Sequence, residues 1–336
     1  MMTLAEMLNE KEKVSEIREK MNVAGSLHSP FLFGINYEMT DGFFIDDPLQ
    51  QDSILFQVKN IGNKSDVNIE NDVVEAILEF DPLSLEHYTR KFEIVSRGLR
   101  RGDSFLSNLT VKTPVSINVS LREIFVRNRA AYQLFLPDKF VCFSPERFVM
   151  IQDGFISSDP MKGTIDGGIE NAEQRILDDF KEKAEHNTIV DLIRNDLSMV
   201  ADNVKVERFR YVDRIKARDK EILQVSSEIK GKLPPDYESR LGDIIFDLLP
   251  AGSISGAPKA ATVDLIRSAE NEDRGYYTGI FGYYDGKTLD SAVLIRFIEQ
   301  DDAGRFYYRS GGGITAYSDC EKEYQEVLDK IYLPFA

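Results

Sequence analysis

Two pairs of glutamates have the spacing of a metal site. Glu182 and Glu185 are three residues apart in a segment with helical periodicity, and Glu323 and Glu326 repeat that spacing near the end of the chain. Residues at i and i+3 share a helix face, so two such faces brought together would cluster four carboxylates. Mg²⁺ would relieve their repulsion, because it binds a few carboxylates and keeps several waters. From the spacing alone, solvated helix faces are the simpler interpretation, since lysines flank both pairs.

A lysine and a glutamate in separate short motifs could perform nucleophilic and acid–base chemistry. Lys162 lies in Pro-Met-Lys-Gly-Thr (160–164), where proline fixes the backbone and Gly163 permits close approach to a ligand. A lysine held away from water can act as a nucleophile. Glu146 lies in Ser-Pro-Glu-Arg-Phe (144–148), and burial of an acid suits it to general acid catalysis. An ordinary surface turn and a structural salt bridge are the alternative interpretations.

Three further motifs could bind an anionic ligand. Residues 250–259 (Pro-Ala-Gly-Ser-Ile-Ser-Gly-Ala-Pro-Lys) precede a predicted helix, whose first turn offers backbone N–H groups, but they lack the Gly-Lys-Ser/Thr of a Walker A loop. Residues 311–313 are three glycines after a strand, where backbone could cradle a carboxylate. Arg296 ends a predicted strand and could hold a carboxylate through two hydrogen bonds. Simple turns and a structural ion pair remain open as alternatives.

The overall charge excludes several classes of partner. The 336 residues include 41 Lys and Arg and 57 Asp and Glu, which gives a net charge of −16. So acidic a chain is not expected to bind nucleic acid or a polyanionic membrane surface. The N-terminus lacks the apolar core of a signal peptide, and no apolar run approaches the roughly 18 residues of a membrane span. Cys142 and Cys320 fit no metal spacing and no disulfide framework. We therefore expect a cytoplasmic protein.

The elements that must position these residues are short strands with few helices between them. Apolar periodicity predicts helices at 3–21, 87–101, about 170–195, 236–248, from Pro258 onward and 319–331. Runs rich in aromatic and β-branched residues predict strands at 31–37, 53–58, 104–109, 115–119, 132–136, 139–143, 147–151, 222–230, 278–284, 289–297 and 305–310. This order indicates an α+β fold. Residues 159–168 and 249–258 are interpreted as functional loops within one unit.

The motifs together, in this order, resemble one enzyme family. From about residue 80 to the end, the chain resembles the chorismate-utilising enzymes, which comprise anthranilate synthase component I, aminodeoxychorismate synthase component I, isochorismate synthase and salicylate synthase. The matching segments are 144–148, 160–164, 181–196, 250–259, 295–296, 311–314, 318–319 and 323–326. Several long strings in the family's order make chance agreement negligible.

The resemblance implies a fold and a site. It implies two large antiparallel sheets packed as a sandwich with helices outside, with a shortened N-terminal region over 1–80 and a chorismate-binding catalytic core over 81–336, in one compact unit. It revises the interpretation of the acids, because Glu182, Glu185, Glu323 and Glu326 match the family's Mg²⁺-binding residues, with Glu185 and Glu326 as direct ligands. The ligand-binding positions that the resemblance implies are Tyr277 and Arg296 for the enolpyruvyl carboxylate, Gly311, Gly313 and Lys330 around the ring carboxylate, and Gly163, Thr164 and Ser253 in the same pocket.

Lys162 favours one branch of the family. Anthranilate synthases carry alanine there, whereas aminodeoxychorismate synthases carry a lysine that is thought to attack ring C2 with an acid at the position of Glu146. Isochorismate and salicylate synthases need a basic lysine at the position of Leu106, where the amine-transferring members usually have glutamine. Leu106 therefore argues against water as the incoming nucleophile and departs from the amine-transferring pattern too. Gln224 replaces a pocket histidine of several relatives.

The resemblance also implies a partner. Amine-transferring members take ammonia from a glutamine amidotransferase, and no Gly-x-Cys-x-Gly site surrounds Cys142 or Cys320. We expect a separate amidotransferase subunit, and a product that leads toward p-aminobenzoate and folate. The missing Leu-Leu-Glu-Ser motif argues against allosteric tryptophan binding. Anthranilate synthase component I and a non-catalytic chorismate-binding subunit remain as alternatives.

Overall fold

The computed structural model describes residues 14–64, 75–217 and 220–335. Its helices are α1 Val14–Ser26, α2 Leu85–Arg101, α3 Leu121–Arg127, α4 Ala172–Asp178, α5 Phe180–Leu197, α6 Leu241–Asp247, α7 Gly252–Ser255, α8 Lys259–Glu270 and α9 Cys320–Asp329. Its strands are β1 Phe31–Ile35, β2 Gly42–Asp46, β3 Leu55–Val58, β4 Ile61–Gly62, β5 Leu78–Phe80, β6 Leu106–Ile117, β7 Tyr132–Leu136, β8 Phe140–Ser144, β9 Arg147–Gln152, β10 Phe155–Ser158, β11 Met161–Asp166, β12 Asp202–Ala217, β13 Lys220–Lys232, β14 Gly256–Ala257, β15 Ile280–Tyr284, β16 Leu289–Val293, β17 Phe297–Gln300 and β18 Phe306–Ile314.

The strands of the described residues form two nine-stranded sheets. The first has the order β11-β13-β10-β9-β16-β15-β1-β2, with β12 also paired to β13. The second has the order β14-β6-β18-β17-β8-β7-β3-β4, with β5 also paired to β6. The recorded pairings are antiparallel. The central strands are buried along their length, as in β1, β8 and β15, which explains their continuous apolar sequences.

The two sheets pack face to face through a core of aromatic and branched side chains. Phe56 of the second sheet contacts Tyr283 of the first, with ring centroids 5.3 Å apart. The same cluster joins Leu32 and Phe281 of the first sheet to Leu134 and Cys142 of the second. Helices α1, α5 and α6 cover the outer face of the first sheet, and α2, α8 and α9 cover β6 and β18 of the second. The α+β sandwich with external helices is therefore confirmed.

Local sequence signals explain where the main helices begin and end. Ser84 caps α2 by accepting a hydrogen bond from the His87 N–H, and Gly102 ends the helix with a φ of 83°. Asp179 caps α5 by accepting from the Glu182 N–H at 2.9 Å. That cap separates α4 from α5, so the single helix predicted at about 170–195 is two helices. Asp319 caps α9 in the same way through the Lys322 N–H.

Several other predicted elements differ from the structure. The strands predicted at 104–109 and 115–119 are one strand, β6, because Pro114 lies within a continuous pairing to β18. The loop predicted at 159–168 contains β11, which pairs with β13 through a bulge between Met161 and Thr164. β2, β10, β12 and α3 were not predicted at all. The first part of the helix predicted at 3–21 lies outside the described residues. Within them, no helix combines the length and the apolar character that a membrane crossing requires.

Candidate active site

A cavity of about 90 Å³ lies where the two sheets meet the loop before α8. Seven of the residues proposed from the sequence line it, namely Glu146, Ser253, Tyr277, Arg296, Gly311, Gly313 and Lys330. They come from segments scattered between β8 and the residue after α9, so only the tertiary fold brings them together. The cavity also contains residues that the sequence did not single out, among them Asn108, Thr278 and Ile254.

One wall of the cavity is built on unusual backbone geometry. Arg296 and Thr278 have φ values of 55° and 60°, a left-handed conformation that non-glycine residues rarely adopt. Such strained conformations persist where many surrounding contacts hold the backbone in place, and they are often found at functional sites. The Arg296 carbonyl accepts a hydrogen bond from the Phe143 N–H at 3.0 Å, and its Nε donates to the Tyr332 hydroxyl at 3.2 Å. These contacts fix a guanidinium at the rim of the cavity.

Tyr277 supplies a neutral donor beside that arginine. Its side chain is buried, and burial raises its pKa to about 12 even though Arg274 and Arg296 lower it. The hydroxyl therefore keeps its proton across the physiological range. A guanidinium and a phenol on one wall can together donate hydrogen bonds to a ligand carboxylate.

The opposite wall contains glycines and a lysine. In β18, Gly311 pairs with Thr110 and Gly313 pairs with Asn108 of β6. Lys330 follows α9, and its Nζ donates to the Gly311 carbonyl at 2.7 Å. A Cβ at position 311 would lie 2.7 Å from the Leu109 carbonyl oxygen, so glycine there lets β18 approach β6 closely. The wall thus joins a cation to the backbone of a glycine-rich strand.

The two pairs of glutamates lie at different places relative to the cavity. A Cβ placed on Gly312, which also lines the cavity, would lie 3.4 Å from Glu326 Oε1 and 3.7 Å from Glu323 Oε2. Glu323 is 1% exposed, and Glu185 on α5 is 9% exposed. Glu185 lines a second, mostly apolar cavity of about 440 Å³ beside Phe105 and Tyr317. A Cβ on Gly163 would lie 3.1 Å from Glu182 Oε2, so this acid lies beside β11.

The proposed metal-binding glutamates could hold Mg²⁺ only as part of a site that waters and substrate oxygens complete. Across residues 14–64, 75–217 and 220–335, no three His, Cys, Asp or Glu side chains come together as a metal centre. Glu323 and Glu326 nevertheless converge on Gly312 with hard oxygen donors, and Glu323 is almost fully buried. Mg²⁺ is commonly held by one or two carboxylates together with waters and substrate oxygens. The donor set is compatible with that kind of site and not with a closed structural one.

The lysine motif occupies an edge of the first sheet. Lys162 lies in β11, and its side chain is outside the part of the chain that the structure describes. Its neighbours Pro160 and Met161 line the cavity. Gly163 has a φ of 79°, which favours glycine, and Thr164 is exposed and pairs with Gln224 of β13. Gly163 and Thr164 are not among the residues that line the cavity.

Glu146 reaches the cavity from the bend between β8 and β9. Its N–H donates to Ser144 Oγ at 3.1 Å, and its carbonyl accepts from the Val293 N–H. Arg147, the next residue, forms ion pairs with Asp159 and with Asp290, the latter at 3.1 Å. This arginine thereby ties β9 to β16 and to the segment just before the lysine motif. The backbone that carries Glu146 is held on both sides.

A buried ion pair behind the cavity was missed by the sequence analysis. Arg274 and Glu270 are each 1% exposed at the side chain, and Arg274 donates to both Glu270 oxygens at 2.7 and 2.8 Å. Arg274 also donates to the Asn108 and Ile254 carbonyls and to Thr278 Oγ1. All three of those residues line the cavity. Glu270 and Arg274 have the i,i+4 spacing of a helical ion pair, but nothing in the sequence indicates that such a pair would be buried.

The loop before α8 is anchored by a second ion pair. Lys259 Nζ lies 3.1 Å from Asp196 Oδ2 on α5 and donates to the Leu248 carbonyl at 2.6 Å. Burial raises the pKa of Asp196, and the attraction of Lys259 opposes that shift. This pair holds residues 250–259 against α5, so Ser253 and Ile254 face the cavity.

Residues 49–335 match the model of a protein family described as chorismate binding enzyme. The chain belongs to this family. An uncharacterised PabA-like protein of Haemophilus influenzae is 48% identical over 319 residues, which cover 94% of this chain and 95% of that protein. Aminodeoxychorismate synthase component 1 of Salmonella typhimurium is 33% identical over 260 residues, which cover 73% of this chain and 56% of that protein.

A solved structure extends the comparison to the fold of this chorismate-binding enzyme. The crystal structure of anthranilate synthase component I from Streptococcus pneumoniae superposes with a TM-score of 0.64 at 28% identity. The match covers 75% of this chain and 58% of that chain. The similarity to the chorismate-utilising enzymes that the sequence motifs indicated is therefore confirmed at the level of the family.

Proposed function

We propose that this protein is the chorismate-aminating component of an aminodeoxychorismate synthase. It would convert chorismate and ammonia into 4-amino-4-deoxychorismate and water, with the enolpyruvyl group retained, as a step toward p-aminobenzoate and folate. The observation that carries the proposal is the cavity that brings Glu146, Arg296 and Lys330 together beside the Lys162 motif. The relative from Salmonella typhimurium adds support through its name.

The cavity walls match the charge of the substrate. Chorismate is a dianion, and the protein as a whole is strongly acidic, so binding needs local compensation. Arg296 with Tyr277 would hold one carboxylate, and Lys330 with the backbone of residues 311–313 would hold the other. Mg²⁺ held by acids such as Glu185 and Glu326 would supply positive charge next to a substrate carboxylate.

A double displacement accounts for the lysine and the glutamate. The uncharged amine of Lys162 would form a bond to ring C2 as the double bonds shift and the C4 hydroxyl leaves. Glu146 would protonate that hydroxyl, so that it departs as water. Ammonia would then form a bond to C4 and give one proton to the Glu146 carboxylate, while the double bonds shift back and the bond from C2 to Lys162 breaks. The lysine returns to its starting state, and one ammonia replaces one water.

The ammonia would come from a separate glutamine amidotransferase. Neither Cys142, which is buried, nor Cys320 lies in a Gly-x-Cys-x-Gly site, so neither is proposed as a glutaminase nucleophile. Anthranilate synthase component I is the second candidate, because a structure of that enzyme is similar over three quarters of the chain. Lys162 opposes it, since the resemblance places alanine there in anthranilate synthases.

A product assay tests the proposal directly. The purified chain is incubated with chorismate, MgCl₂ and ammonium at alkaline pH, and the products are separated and identified by mass. We expect a product that keeps the enolpyruvyl group and carries an amine in place of the hydroxyl. The Lys162→Ala variant should lose that product or form anthranilate, while Lys183→Ala, an exposed lysine on α5, should behave as the unmodified protein.

Two other outcomes would overturn the proposal. Anthranilate from the unmodified chain would identify an anthranilate synthase. Unchanged chorismate, even with an amidotransferase subunit and glutamine present, would identify a non-catalytic chorismate-binding protein.

A further inference from the structure

Leu106 faces the hydrophobic core of this protein, although the family resemblance places a polar residue at that position. Leu106 is 3% exposed and packs in the same cluster as Ile189 and Ile254. Those two isoleucines also line the cavity, so β6 runs along its edge at this point. Leucine cannot hydrogen-bond to an incoming nucleophile, and that task must fall to another residue.

Asn108 lies two residues further along β6, and therefore on the same face of the strand. It lines the cavity that contains Glu146. Among the described residues, no hydrogen-bond partner approaches its Oδ1, although the atom is buried. Its neighbour across the sheet is Gly313, which has no side chain to cover it. Asn108 thus lines the cavity and carries a buried side-chain amide oxygen that has no hydrogen-bond partner among the described residues.

The backbone around Asn108 is held firmly. Its carbonyl accepts a hydrogen bond from Arg274 Nη2 at 2.7 Å, and Arg274 is fully buried in its ion pair with Glu270. Thr278, another polar side chain of the cavity, is already committed, because its hydroxyl donates to the Tyr277 carbonyl and accepts from Arg274. An uncommitted acceptor on a rigid strand is well suited to orient a small ligand.

The acceptor is chemically matched to ammonia. An amide oxygen accepts an N–H without taking its proton, whereas a carboxylate would attract ammonium, which has no lone pair for attack. A buried acceptor without a partner is also unfavourable, and a ligand N–H would remove that cost. We infer that Asn108 Oδ1 binds the incoming ammonia and orients its lone pair toward the ring, in place of a residue at position 106. This inference rests on the proposed function.

The test measures the dependence of amination on ammonia in Asn108→Leu, whose side chain has the same branching at Cγ but is larger and has no acceptor. With saturating chorismate and MgCl₂ and with ammonium as the source of ammonia, we expect the KM for ammonia to rise about tenfold, as for loss of one hydrogen bond. Chorismate binding without ammonia, measured by calorimetry, should be unchanged. Ser107→Ala is the matched control, because Ser107 is buried on the opposite face of β6.

The outcomes separate this inference from the proposed function. If the unmodified protein aminates chorismate and Asn108→Leu keeps the same KM for ammonia, the role of Asn108 is wrong and the function stands. If the unmodified protein forms no aminated product, both are wrong. A thermal melt checks that the variant is folded, and Asn108→Ala, which needs less space, gives the same comparison should the leucine disrupt β6.

Discussion

The Nζ atom of Lys330 lies 2.7 Å from Oε1 of Glu326, one helical turn earlier, and 2.7 Å from the Gly311 carbonyl oxygen. A residue proposed to bind a substrate carboxylate is therefore paired with a residue proposed to bind the metal. If Glu326 held Mg²⁺, Lys330 would lose its ion pair with that carboxylate, and its positive charge would attract a ligand carboxylate more strongly. Metal and chorismate should consequently bind with positive coupling.

Glu326→Gln should weaken this coupled site. The amide keeps the shape of the side chain but removes the negative charge that attracts Mg²⁺, so the Mg²⁺ concentration for half-maximal activity should rise about tenfold or more. Calorimetric titration with Mg²⁺ in the presence of chorismate gives a readout independent of turnover. Gln325→Ala, on an exposed position of the same helix, should change neither value. Equal Mg²⁺ affinity in Glu326→Gln and the unmodified protein would remove this acid from the metal site.

Arg296→Lys should raise the KM for chorismate. Lysine keeps the charge but loses the planar pair of donors, and loss of a charge-assisted hydrogen bond corresponds to about a tenfold to hundredfold change in binding. Initial rates over a range of chorismate concentrations measure the effect. Arg305→Lys is the control, since Arg305 is an exposed arginine that pairs with Asp301 away from the cavity. An unchanged KM in Arg296→Lys would exclude the proposed carboxylate contact.

Gly163→Ala should affect both stability and the metal requirement. At a φ of 79° an alanine costs about 1–2 kcal/mol, and its Cβ would lie 3.1 Å from Glu182 Oε2. Gly304 has the same φ of 79°, but the nearest atom to its Cβ would be Gln300 Nε2 at 3.6 Å. Both variants should lose similar free energy of unfolding in urea, whereas only Gly163→Ala should need more Mg²⁺. The same Mg²⁺ requirement in both would mean that Glu182 does not act at the site.

Removing either member of the Arg274–Glu270 pair should destabilise the protein strongly. A charge left alone in the interior costs about 3–5 kcal/mol, so Glu270→Gln and Arg274→Met should each lower the free energy of unfolding by that amount. The double variant Arg274→Met/Glu270→Gln should be destabilised by less than the sum of the losses in the two single variants, because no unpaired charge remains. Urea unfolding of all four proteins completes the cycle. Additive losses would show that the two side chains do not interact.

Asp243 should make a pH-dependent contribution to stability. Burial alone would raise its pKa, but hydrogen bonds from Arg18 and Asn22 outweigh burial and hold the pKa below the usual value. Its contribution is therefore complete above the unfolded-state pKa of about 3.9 and is lost as the pH falls through the lower folded-state pKa. Because the pair is partly exposed, Asp243→Asn should cost about 1 kcal/mol at pH 7. Urea unfolding of both proteins should show that difference shrinking near pH 2, and a difference independent of pH would contradict this account.

The sequence predicted the fold class because its strands occur in antiparallel runs, and the family because its motifs occur in one order. It did not predict β11, since Pro160 and Gly163 suggest a loop when considered locally. That strand forms through its long-range pairing with β13. β12 was missed for a related reason, because register shifts in its pairing with β13 interrupt the apolar alternation between Val206 and Tyr211.

The candidate site likewise contains residues that the sequence predicted and residues that it could not predict. Residues within recognisable motifs, such as Glu146 and Arg296, could be proposed from the sequence. Tyr332 could not be linked to Arg296, and Asn108 could not be placed in the cavity, because those relations depend on pairings between distant segments. Likewise, the ion pair between Glu270 and Arg274 was not predicted, because their spacing alone does not show that the pair is buried and supports three residues of the cavity wall.

The position of β18 between β6 and β17 has a consequence for biosynthesis. β6 and β17 both emerge from the ribosome before β18, so the nascent chain carries two strand edges whose hydrogen-bonding partner has not yet been made. Unpaired edges of this kind are templates for aggregation, and pairings between distant segments form slowly. Residues 311–313 lie in β18 and Lys330 follows it in the chain, so the cavity that contains them cannot form until β18 has been made and has paired with both strands.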